Sequence, residues 1–271
     1  KELEGCEVYS IEQENGNYVI SIDTEDHTFF ASHQRFRGYT RVGSFPEQIT
    51  GDKRSIRMKI LVTGFEPFGG AVINPAYEAV KLLHDVIAGA EVIKIEIPTV
   101  FGKDEEVVRA AVEKHHPDAV LCVGQAGGRS GITVEKVAIN LMEARIPDNE
   151  GKQPLDTPIR EDGENAYFAS LPVKSMVQYM KEAKIPARVS YTAGTFVCND
   201  IMYRVLYMID KEYPHMRGGF VHVPYLPEQT LDLPEGTPSM PAEMIAKALA
   251  CGIRAIVENE ADVKTISGET H

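Results

Sequence analysis

Cysteine is scarce in this 271-residue chain, and its four examples, Cys6, Cys122, Cys198 and Cys251, stand far apart. Without a C-x-x-C pair or the Cys/His spacing of a zinc site, they read as reduced thiols in a cytoplasmic setting, not as disulfides or metal ligands. Positive charge is short as well. Lys and Arg total 28 against 40 Asp and Glu, a net charge of -12, and no Lys/Arg run supplies the basic footprint that nucleic-acid phosphates require. No apolar run approaches the roughly 18 residues of a membrane span, and the N-terminus has no basic-then-apolar signal segment. The expectation is a soluble intracellular protein.

What is present is 43% hydrophobic, enough for one large core or one large domain with a small appendage. Before Met58, the alternating CEVYSIEQENGNYVISID surrounds Asn15-Gly16, a strong hairpin signal. After Ala31 the polar, arginine-containing SHQRFRGYTRVGSFPEQITGDKRSIR reads as linker. Residues 1–57 therefore read as an N-terminal extension, hairpin-like or loose, that activity does not require, with the main domain at 58–271. From Met58 onward strands and helices alternate. KILVTGF, AEVIKIEIP, DAVLCVGQ, ARVSYTAG and GGFVHVPY have strand composition. PAYEAVKLLHDVI, KDEEVVRAAVEKHH, NDIMYRVLYMIDKEY and PAEMIAKALACGIRAIVENEA have helical spacing. This alternation predicts a three-layer α/β/α domain with a mixed, mostly parallel sheet, and ligands at the carboxyl ends of its strands.

Four segments just past predicted strands stand out. In YTAGTFVCND a strand breaks at Gly194-Thr195 and Cys198 opens a helix. Unpaired backbone N–H groups and the helix dipole there favour thiolate, the nucleophilic form. Cys122 lies mid-strand and Cys251 in the apolar stripe of the last helix, so both read as core. A cysteine nucleophile needs a base and a group to orient that base. Of the eight histidines, His222 alone ends a buried strand, before the loop PYLPEQ, and is the leading base. In GQAGGRSGITVEKVAIN neither phosphate-loop pattern fits the glycines. Glu135, between Val134 and Val137, is placed to orient an imidazole. In GFEPFGGAVINP, Phe65 and Phe68 either plug the domain edge or line a pocket for a flat apolar ligand.

Together GFEPFGG with NPA, GQAGGR with ITVEKVAIN, NLMEARIPDNEG, SYTAGTFVCN and RGGFVHVPYLPEQ closely resemble the motifs of the pyroglutamyl peptidase I family, or pyrrolidone-carboxylate peptidases. The resemblance runs from Met58 nearly to the C-terminus. It implies a cysteine exopeptidase that removes an N-terminal pyroglutamyl residue from peptides, without metal or cofactor, commonly as a homotetramer. By the resemblance the nucleophile falls on Cys198, the base on His222 and the third member on Glu135. Phe65 and Phe68 inherit the ring pocket, Asn74 and Gln125 match positions that bind the lactam, and Arg145 matches an arginine near the oxyanion. Ala76 stands where Ser is usual, and Lys136 replaces a common Arg. The rival from another class is a small-molecule or nucleoside-binding α/β protein with a structural Cys198. A redox thiol protein ranks lower, because no resolving cysteine is near in sequence. The polar stretch 147–163 reads as a lid, an interface arm or neither.

Overall fold

The structure, a computed structural model, describes residues 58–268 in full and, ahead of them, three strands by their backbone. The chain forms two compact units, residues 1–55 and 56–271. In the first, β1 (Glu7–Glu14), β2 (Asn17–Thr24) and β3 (His27–Ala31) form an antiparallel sheet in that order. The β1–β2 pairing closes with Glu14 opposite Asn17, the two-residue spacing of an Asn-Gly hairpin. Asn15, Gly16 and the stretch 32–57 lie outside the described residues. The third strand goes beyond the expected hairpin, pairing Ile20 with Ala31 and Thr24 with His27.

The second unit is built on β4 (Lys59–Phe65), β5 (Val86–Ile87), β6 (Ala90–Ile97), β7 (Ala119–Gln125), β8 (Ile132–Glu135), β11 (Ala187–Ser190) and β12 (Arg217–Val223). They form one sheet in the order β11, β8, β12, β7, β4, β6, β5. Pairing is parallel except between β12 and β8 and between β6 and β5, so the sheet is mixed and mostly parallel. β9 (Val137–Ile139) and β10 (Ala166–Phe168) make a separate antiparallel pair. Helices α1 (Pro75–Lys81), α3 (Val173–Glu182) and α5 (Ala242–Glu258) pack together on one face, and α2 (Lys103–His115) and α4 (Val197–Lys211) on the other. The central strands are covered on both sides, so Ile60, Leu61, Val62 and the run Ala119–Val123 are fully buried. Each large aliphatic chain buried there contributes about 1.5–3 kcal/mol.

One local departure from the sequence pattern has a physical cause. The helical spacing of PAYEAVKLLHDVI predicts a helix through Ile87, yet α1 ends at Lys81 and Val86–Ile87 become an edge strand. Ala88 and Gly89 both adopt positive φ, 50° and 81°, forming the tight turn that folds Ile87 back onto Ala90. Helix α3 lacks a local cap because Pro172 precedes it. Its first N–H groups, on Lys174 and Ser175, are instead bound by the Asp262 carboxylate, 88 and 87 residues away in sequence.

Candidate active site

The register of three strands, β8, β12 and β7, assembles the site on the sheet face that carries α2 and α4. β8 runs antiparallel to β12, with Thr133 opposite His222 and Glu135 opposite Phe220. Alternation then puts Phe220, His222, Thr133 and Glu135 on one face, and Glu135 and His222 become diagonal neighbours. Their side chains meet, with His222 Nδ1 2.8 Å from Glu135 Oε1. Both are buried, and the Phe220 ring lies against the imidazole at 4.7 Å between centroids. On the other side of β12, His222 pairs with Gly124 of β7.

Gly124 leaves the space into which Cys198 fits. A β-carbon at Gly124 would fall 2.8 Å from Cys198 Sγ and 2.6 Å from Phe220 Cζ, distances that real side chains do not adopt. The sulfur thus lies over the strand that borders the histidine strand, delivered by the first turn of α4. That turn is pinned by the two residues after the cysteine. Asn199 accepts from Ile139 N at 3.0 Å and donates to the carbonyls of Ile139 and Leu141, acting as a strand partner for β9. Asp200, fully buried, accepts from Gly102 N and from Arg204 Nε, which ties α4 to the start of α2. The N-cap residue Phe196 makes no side-chain cap bond, so no capping side chain occupies the first N–H groups of α4.

Burial opposes the thiolate-favouring effect of the helix start. Burial pushes the Cys198 thiol up, the Glu135 and Asp104 charges push the same way, and Arg129 pulls against them. Burial likewise lowers His222 below its usual 6.5, with Glu135 opposing. Glu135 stays below the ordinary carboxylate range: burial raises it, but hydrogen bonds, first from His222 and also from Arg129, outweigh burial. The resting pair is therefore a neutral thiol and a neutral imidazole beside a carboxylate. Cys122 is fully buried in mid-strand, and burial likewise pushes its thiol up, to about 12.

The other expected residues divide. Phe65 ends β4 inside the core, 2% exposed, whereas Phe68 is half-buried and rests on Phe196 at 6.3 Å. Phe196, not singled out by the sequence, packs edge-on against Phe101 at 5.3 Å and so lines an aromatic row leading to the cysteine helix. Asn74 is committed to the chain itself, capping α1 at Ala76 N and donating to Glu66 O, both at 3.0 Å. Gln125 accepts at Oε1 from Gln229 Nε2 at 3.0 Å, and Gln229 is fixed by Leu226 N. Arg145 is exposed, and its side chain makes no hydrogen bond or ion pair with another described residue. The polar stretch after it is strapped to the phenylalanine loop: Asn149 donates to Glu66 Oε1 and Pro67 O, and Asp148 accepts from Phe101 N. A β-carbon at Gly127 would strike the Tyr225 ring at 2.2 Å, so that glycine serves close packing. Among the described residues no group of His, Cys, Asp and Glu is arranged to hold a metal.

The family model for pyroglutamyl peptidase matches residues 58–259, which contain every element of this site. The chain belongs to the pyroglutamyl peptidase family. A pyrrolidone-carboxylate peptidase of Enterococcus faecalis is 59% identical over 79% of the chain and its own full length, and one of Clostridium botulinum is 58% identical over 78% of the chain and 99% of its own length. The crystal structure of Bacillus amyloliquefaciens pyroglutamyl peptidase I superposes with a TM-score of 0.74 at 50% identity, covering 76% of this chain and all of that one. A mutant pyrrolidone carboxyl peptidase of Pyrococcus furiosus gives 0.71 at 43% identity over 74% of this chain and 99% of that one.

Proposed function

We propose that the chain is a cysteine exopeptidase that hydrolyses the amide bond after an N-terminal pyroglutamyl residue, with Cys198 as nucleophile, His222 as base and Glu135 as its orienting carboxylate. The observation that carries this reading is the 2.8 Å bond between His222 Nδ1 and Glu135 Oε1, one strand from the space that Cys198 fills. An ionised carboxylate only accepts, so Nδ1 carries the proton and Nε2 is left as the base. Attack then begins from neutral partners: the thiol proton passes to Nε2 as sulfur bonds to the pyroglutamyl carbonyl carbon. The resulting imidazolium is stabilised by Glu135 and returns the proton to the departing amine. Water, activated by the same nitrogen, releases pyroglutamate from the thioester.

The uncapped N–H groups at the start of α4 would receive the oxyanion, each such donor being worth roughly 3 kcal/mol. We assign Arg145 to the same charge. Pyroglutamate is an uncharged lactam, and the row Phe68, Phe196 and Phe101 supports an apolar slot for its ring, with Phe65 forming the buried wall. Gln229 holds the Gln125 carbonyl, which leaves Gln125 Nε2 as a donor for the lactam oxygen. Asn74 shapes this slot by holding the loop at Glu66 O.

No cofactor enters the scheme. We further propose a cytoplasmic homotetramer, for which exposed apolar residues such as Phe168 and Leu155 offer contact surface, and turnover that does not need residues 1–57. Among the described residues no helix is long and apolar enough to cross a membrane. The deciding assay is release of a fluorophore from a pyroglutamyl amide by the reduced protein, with and without iodoacetamide. Release that alkylation abolishes is expected, and no release from the reduced protein would overturn the reading.

A further inference from the structure

Arg129 is not explained by substrate binding or by the fold alone. It sits in the loop after β7, and its side chain is 23% exposed. Its Nη1 donates to Glu135 Oε1 at 2.6 Å, the same oxygen that His222 Nδ1 meets, and also to Thr133 Oγ1. Its Nη2 reaches 3.3 Å to the carbonyl of Thr192, in the turn that leads into the cysteine helix. One planar guanidinium therefore spans both halves of the machinery, the carboxylate that orients the base and the loop that delivers the nucleophile. A surface ion pair would not need this arrangement: Glu135 is fully buried, and the strap joins three separate elements, the β7–β8 loop, β8 and the β11–α4 turn.

We propose that Arg129 is a positioning residue for the triad: it clamps Glu135 and ties the nucleophile's turn to it, so that His222 is held aimed while the sulfur stays in register. The inference rests on the triad reading above. Its electrostatic effect has a definite sign. The cation beside Glu135 disfavours imidazolium at His222 and favours thiolate at Cys198. Removing it is expected to shift His222 protonation to higher pH and thiol ionisation to higher pH as well. The guanidinium fork suits this task better than an ammonium would, because it addresses the carboxylate and the carbonyl at once in a fixed plane.

The test compares Arg129→Met, which keeps much of the length without charge, with Arg129→Lys, which keeps the charge without the fork. For Arg129→Met, kcat on a pyroglutamyl amide should fall at least about tenfold with KM changed less than about twofold, and the acid limb of kcat/KM should move to higher pH. Arg129→Lys should leave that limb near its wild-type position while losing kcat severalfold. Should the methionine variant fail to fold, the lysine variant decides alone: wild-type kcat in it would overturn the proposal. So would a methionine variant with an unmoved acid limb and kcat within twofold of wild type. A second readout separates this from failure of the peptidase reading. The rate at which iodoacetamide modifies Cys198, followed by mass on the cysteine-bearing peptide, needs no substrate. Its pH profile should move to higher pH in Arg129→Met, and an unmoved profile would overturn the proposal even where the wild type hydrolyses the amide.

Discussion

Cys198 Sγ occupies the space that a side chain at Gly124 would claim, 2.8 Å from where its β-carbon would stand. The sulfur and the strand beneath it are thus fitted by the absence of one methyl group. Gly124→Ala is expected to displace the sulfur or the Phe220 ring, because the same β-carbon would stand 2.6 Å from Phe220 Cζ. Overpacking of this kind costs about 1–3 kcal/mol. Denaturant unfolding should show that loss, and kcat/KM should fall at least about tenfold, since a misplaced nucleophile is costly. Unchanged turnover would mean the sulfur has room that the packing denies it.

The acid limb of activity should report His222. Burial lowers its pKa below 6.5 and Glu135 opposes that effect, so kcat/KM is expected to rise with pH through a value under 6.5 and level off above it. Glu135→Gln removes the opposing charge and leaves Arg129 unpaired, which moves the limb to still lower pH. Its kcat should drop about a hundredfold or more, because the tautomer and the imidazolium both lose their support. A limb that rises to higher pH in this variant would contradict the assignment.

Asp104 predicts a pH-dependent stability. Its carboxyl is fully buried, Oδ1 accepts from Glu105 N at 2.7 Å, and Oδ2 has no partner within the described residues. Burial, reinforced by the Asp200 charge, pushes it well up. A group raised on folding contributes stability that is complete below the unfolded value, about 3.9, and is lost as pH climbs through the folded one. Asp104→Asn keeps the shape and removes the titration. Its melting temperature should therefore gain on the wild type progressively as pH rises above about 4, and a constant difference would refute the buried-acid assignment.

Gln229→Leu tests the pocket. Without the Nε2 donor the Gln125 amide is free to rotate, so KM for a pyroglutamyl amide should rise up to about tenfold, the scale of one hydrogen bond, with kcat little changed. Steady-state kinetics separate the two constants. A fall in kcat at constant KM would place Gln229 in the chemistry instead.

The layered fold could be read from the alternation of buried strands and amphipathic helices after Met58, because period and turn chemistry are local signals. The cysteine, the histidine and the carboxylate could be singled out for the same reason: each breaks its local pattern. What joins them is not local. The antiparallel placement of β8 beside β12 makes Glu135 and His222 diagonal neighbours, and no short-range signal encodes that pairing. Arg129 stood inside a quoted motif, but its role depends on a loop folding back six residues to Glu135 and 63 to Thr192. The family resemblance implies a ligand contact for Asn74, while its amide is turned to the helix and loop it joins. The thiolate expectation took the helix dipole at full strength and could not include the burial that opposes it.

Attack of Cys198 on a pyroglutamyl carbonyl is tested by mass spectrometry of the reduced protein, quenched in acid during turnover of an activated pyroglutamyl ester. The peptide containing Cys198 should gain the mass of one pyroglutamyl group, and the gain should vanish in Cys198→Ala together with turnover. An active Cys198→Ala protein, or the acyl group found on another residue, would contradict the account.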